Sequence, residues 1–92
     1  MAISRADRRR DREARVAAVF GEEQAAQALD LLELVDLAWH DCYGDISPSA
    51  EQVDDMLLLS DGSIEKLIGA ARLAVTDWRD VKVAADGRRA HP

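Results

Sequence analysis

The chain has 92 residues, of which 48% are hydrophobic and 33% charged, and its net charge is −6. That length fits one domain with a modest core, about 60–70% of the unfolded surface being hidden on folding. The composition is too apolar and too periodic for disorder, and the longest unbroken apolar run, Val16 to Phe20, is far too short to span a bilayer.

Further limits come from single residue types. Cys42 is the only cysteine, which excludes an intramolecular disulfide and leaves no sign of an oxidising compartment. No apolar signal-peptide core follows the basic N-terminus, so the expected location is cytoplasmic. Arginine outnumbers lysine ten to two, and with the abundant alanine this points to a GC-rich bacterial genome. Alanine, leucine, aspartate, glutamate and arginine dominate, and these residues favour helix over strand.

Charge is segregated along the chain. Residues 1–15 carry six arginines against three acids, residues 16–81 carry fourteen acids against three bases, and residues 82–92 carry three bases against one acid. The acidic middle should repel nucleic acid and anionic membrane, so only the basic ends could attract them.

Four helical segments are expected in chain order. The first runs from about Ser4, a plausible N-cap, to Phe20. Its first half is charged all round, and Asp7 with Arg10 and Asp11 with Arg15 are acid-before-base pairs at helical spacing. Only Val16, Val19 and Phe20 offer it apolar anchorage, so residues 1–15 read as a basic, partly mobile helix or arm.

The second segment, about 22–43, has the clearest periodicity. Leu31, Leu32, Leu34, Val35, Ala38, Trp39, Cys42 and Tyr43 share one arc of about half the circumference at 100° per residue. Gly44 supplies its stop. The third segment is short, about Pro48 to Leu59, with Pro48 at the first helical position and Val53, Met56 and Leu57 inward. The fourth runs from about 63 to 83 with Leu67, Ala71, Ala74, Trp78 and Val81 as its stripe. Residues 85–92 show no apolar pattern and read as a mobile tail.

The fold class expected is all-α. It is a small bundle of three to four helices, spanning 16–84, in which 22–43 and 63–83 form a central antiparallel pair capped by two shorter helices. In that arrangement Trp39 and Trp78 pack at opposite ends. Trp39 meets Ile64 and Leu67, and Trp78 meets Ala28 and Leu32.

Four constellations could carry chemistry. Glu33, Asp36 and His40 share a helical face and could ligate a metal. The Glu-x-x-His spacing of di-iron bundles is absent, however, and a solvated acidic face is the simpler account. The string Trp39-His40-Asp41-Cys42-Tyr43-Gly44 is chemically dense, but His40 and Cys42 project about 160° apart on a helix and cannot form a nucleophile pair. Cys42 is expected as a small buried residue. Arg5, Arg8, Arg9, Arg10, Arg12 and Arg15 could grip phosphates or an acidic protein surface, though no aromatics interleave to stack bases. The third and fourth segments invite a helix-turn-helix reading, yet the second of them opens on Asp61, Ser63 and Glu65 rather than on basic residues. No phosphate-binding glycine loop, serine elbow or zinc-cysteine array occurs.

Leu37 and Leu73 lie amid the polar faces of the two main helices and are the candidate interface residues. The function expected is a non-enzymatic helical protein–protein interaction module with no cofactor. Its partner is itself, as a homodimer, or another protein, with no membrane. The alternative is a small regulator that touches nucleic acid through the N-terminal arginines.

Overall fold

The computed structural model describes residues 4–91, which form five α-helices and no strand. α1 is Arg5–Phe20, α2 Glu22–Tyr43, α3 Ala50–Ser60, α4 Ile64–Thr76 and α5 Trp78–Ala90. The all-α class therefore stands, with five helices where three to four were expected.

Local chemistry accounts for most of the boundaries. The Ser4 hydroxyl accepts the Asp7 N–H, and the Asp7 carboxylate accepts the Ser4 N–H, a reciprocal cap that starts α1. Ser49 and Gln52 repeat it at α3, so the helix starts just after the expected Pro48 position. Ser63 caps α4 through the Lys66 N–H, and Gly44, in the left-handed conformation, ends α2. Asp61 and Gly62 make a left-handed turn from α3 into α4, with φ of 51° and 76°. A Cβ at Gly62 would lie 2.9 Å from the Val19 carbonyl oxygen. Only glycine therefore lets the α3–α4 turn sit against the end of α1.

That contact sets the direction of α4 relative to α2. Val19, against Gly62, precedes the start of α2 by three residues, so α2 and α4 start at the same end of the bundle. At the other end the Tyr43 hydroxyl, on the last residue of α2, donates to the Ala74 carbonyl near the end of α4, at 2.7 Å. The two helices therefore run in the same direction, and the expected antiparallel central pair is not what forms. Two connections, α2 to α3 and α3 to α4, lie between them, which permits the parallel sense.

The expected helix 63–83 is also two helices, broken at Asp77. Both tryptophans consequently sit at the Tyr43 end rather than at opposite ends. The Trp39 ring lies 4.6 Å from the Tyr43 ring, and the Trp78 N–H donates to the Tyr43 hydroxyl at 3.2 Å.

The core gathers side chains from all five helices: Val16 and Phe20, then Ala28, Leu29, Leu32, Val35 and Trp39, then Val53, Met56 and Leu57, then Leu67, Ala70, Ala71 and Ala74, then Val81 and Ala85. The bundle draws in residues from both of the expected ends. Arg12 is buried, and residues from 85 onward continue α5 to Ala90 with Ala85 fully enclosed, in place of a tail. Cys42, expected inside, is exposed. Among the described residues no helix is long and apolar enough to cross a membrane.

Candidate interaction surface

Two kinds of surface emerge, one ionic and closed, the other apolar and open. The ionic one lies between α1 and α2. Arg12 is buried and forks onto Asp36, itself buried, at 3.1 and 2.9 Å. This two-point geometry is the one that best offsets the desolvation of a guanidinium and a carboxylate. The Arg8 Nε donates to the same carboxylate at 3.2 Å. One turn away Arg9 reaches Asp30 at 2.8 Å and Glu33 at 3.1 Å. These contacts, Asp30 first and then Glu33, hold the Arg9 guanidinium more firmly protonated than usual. Arg15 pairs with Asp54 of α3. Arg10 lies 3.8 Å from Asp7 on the exposed side, and Arg5 lines a shallow cavity with Arg8, Asp36, Leu37, His40 and Ile46.

Most of the arginines read from the sequence as an arm are therefore folded onto the chain's own acids. The sequence shows the opposite charges but not that α2 folds back along α1 at Gly21. The same packing redistributes the trio Glu33, Asp36 and His40. Asp36 serves Arg8 and Arg12, Glu33 serves Arg9, and His40 is exposed with its Nδ1 3.7 Å from Asp41. No group of three or more metal-ligating side chains gathers among the described residues.

The apolar surface is a groove of about 170 Å³ between α2 and α4. Leu31, Leu34, Val35 and Ala38 form one wall, and Ile68, Ala71 and Val75 form the other, with Arg72 as the only charged side chain. Leu34 is 61% exposed and Ile68 44%, so both carry apolar surface that the single chain leaves in water. Periodicity places Leu34 on the inward arc of its helix. The apolar arc of α2 spans about half its circumference, but α1 and α4 between them cover only part of it.

The two leucines singled out from the sequence lie in different places. Leu37, 54% exposed, follows Leu34 at a spacing of three but lines the shallow cavity beside Arg5 and Arg8 rather than the groove. Leu73, 36% exposed, lies roughly 140° round α4 from Ile68 at the helical repeat and stands apart from the groove. Ile46, in the loop after α2, is 65% exposed and shares the shallow cavity with Leu37. Sequence reasoning missed Ile46 because a loop residue has no periodicity to judge it by.

Comparison of the chain with known protein families, with curated proteins and with solved structures found no match.

Proposed function

We propose that this protein is a non-enzymatic helical interaction module that associates with itself through the apolar groove between α2 and α4. The observation that carries the reading is the pairing of Leu34 and Ile68 across a groove whose only charge is Arg72. Apolar side chains clustered this way gain about 25 cal/mol for each Å² removed from water, and a second copy presents the same groove for a two-fold contact.

The alternative, a nucleic-acid regulator acting through the N-terminal arginines, has less support. Arg8, Arg9, Arg12 and Arg15 already hold carboxylates. A phosphate would have to displace those carboxylates before releasing its own counterions.

Light scattering on the full chain tests the proposal. A dimer is expected at micromolar concentration. The double variant Leu34→Asp with Ile68→Asp should be a monomer with unchanged helical content, because both positions already face solvent. A parent protein that stays monomeric at every concentration refutes self-association. A double variant that stays dimeric moves the interface off the groove. Arm-dependent, salt-sensitive binding of duplex DNA or RNA at physiological ionic strength would reverse the ranking of the two readings.

A further inference from the structure

The local sequence marks the break between α4 and α5 only by Asp77, while the apolar stripe runs on through it. Leu67, Ala71, Ala74, Trp78, Val81 and Ala85 follow one another at spacings of four and three, the stripe of a single helix running through Asp77. No glycine or proline lies between residues 70 and 86 to interrupt it. The interruption comes from another helix. In an unbroken α-helix the Trp78 N–H would donate to the Ala74 carbonyl four residues back. Here the Tyr43 hydroxyl takes both places, accepting from the Trp78 N–H at 3.2 Å and donating to the Ala74 carbonyl at 2.7 Å. A side chain inserted in the helical ladder is an established cause of a sharp bend. Asp77 then caps the new start, its carboxylate accepting the Arg79 N–H.

α5 reaches the rest of the bundle through contacts that do not require it to belong to the same chain. Val81 and Ala85 are buried. Arg89 pairs with Asp55, Arg88 with Asp61, and Lys82 lies 4.0 Å from Glu51. Only Asp77 connects α5 to α4. A connection that short, between helices whose sequence favours continuity, is the setting in which two copies exchange an element.

We propose that a second copy of this chain is the partner for α5. When Tyr43 leaves the ladder, α4 and α5 join into one helix across Asp77, and each chain lays its α5 on α3 of the other. Tyr43 is the pin that selects the closed form. The exchange does not use the α2–α4 groove and does not depend on it.

Tyr43→Phe tests this directly, since the ring that lies against Trp39 is kept and only the hydroxyl is lost. Asp77→Ala reaches the same end independently by removing the cap and supplying a strong helix former. Each change acts once in each of the two chains and should raise the dimer association constant about thirtyfold, the effect expected of one net hydrogen bond per chain. The chain crossing is read with Glu51→Cys and Lys82→Cys in a Cys42→Ala background, treated with a short bifunctional thiol reagent. Exchange gives covalently linked dimers, whereas a groove dimer gives links within one chain. Adding Leu34→Asp leaves an exchanged dimer in place and removes a groove dimer, so failure of one idea is distinguishable from failure of the other. If Tyr43→Phe fails to fold, Asp77→Ala decides. Monomers at high micromolar concentration, or dimers whose links stay within one chain, overturn the proposal.

Discussion

The two terminal helices, α1 and α5, are alike in composition and opposite in how they are held. Each is rich in charge and has few apolar anchors, Val16 and Phe20 in one, Val81 and Ala85 in the other. α1 is fastened by an ion pair in which both partners are buried, Arg12 with Asp36. α5 is fastened by arginines that remain substantially in solvent, and of their partners only Asp55 is buried. A buried pair is costly to break because the survivor is left charged in a poor solvent. A pair exposed to water and salt resists opening weakly. α1 is therefore a fixed part of the bundle, and α5 is the helix the chain can give up.

The largest expected effect tests the fixed side. Arg12→Ala leaves Asp36 buried with Arg8 alone and should cost about 3–5 kcal/mol, a large share of the stability of a domain this size. Thermal melts check it. The paired replacement Arg12→Met with Asp36→Leu should restore part of the loss, since neither of these two charges is then stranded although Arg8 also gives up its bond to Asp36. A single Arg12→Ala variant that melts with the parent would remove the distinction between the two helices.

The tryptophans sharpen it next. Sequence alone treats Trp39 and Trp78 as equivalent core residues, but Trp39 is buried and Trp78, at the start of α5, only partly so. Trp39→Ala should cost about 3–5 kcal/mol. Trp78→Ala should cost clearly less, with the loss of amide protection concentrated in residues 78–90. Equal losses spread over the whole chain would mean that α5 does not open separately.

Arg89→Ala strands the buried Asp55 carboxylate of α3, which lies 2.8 Å from the Arg89 guanidinium. Hydrogen exchange should show residues 78–90 opening more readily while residues 5–43 keep their protection. High salt should act in the same direction more mildly, since it screens the exposed pairs of α5 and hardly touches Arg12 with Asp36.

The smallest effect is with pH. Arg88, and then Lys66, hold the Asp61 carboxyl below the usual aspartate value, against a lesser opposing push from desolvation. A carboxyl lowered in the folded state contributes its stabilisation above the unfolded pKa and loses it as pH falls through the folded one. α5 should therefore loosen only below about pH 4 and be indifferent between about pH 5 and 8 as far as this pair is concerned. Loosening that begins near neutrality would point to a different group.

Several features were legible because they depend on short stretches of chain. Ser4, Gly21, Gly44 and Gly62 mark helix ends through capping and left-handed backbone, and the apolar periodicity of 22–43 identifies Leu32, Val35 and Trp39 as core. The candidate site was legible only in fragments. Leu37 could be singled out as an apolar residue amid polar ones but lies off the groove, whereas Leu34, in its wall, looked internal, because an apolar arc does not state how much of itself a neighbour will cover. The arginines looked like an arm because the acids near them in sequence, Asp7, Asp11 and Glu13, answer only half of their charge. Their partners, Asp30, Glu33, Asp36 and Asp54, lie 21 to 39 residues away.

Composition and periodicity by themselves determined that the chain is helical, where most of its helices begin and end, and which residues form the heart of its core. These follow from capping, backbone conformation and the 3.6-residue repeat, which act within a turn or two of chain. Tertiary structure alone decided that α2 and α4 run the same way, that the arginines of α1 close onto α2, and that a stripe reading as one helix is cut into two. The last of these turns on one hydroxyl, that of Tyr43, 31 residues from the carbonyl it meets. A hydrogen bond between groups that far apart in sequence exists only once the helices carrying them have packed.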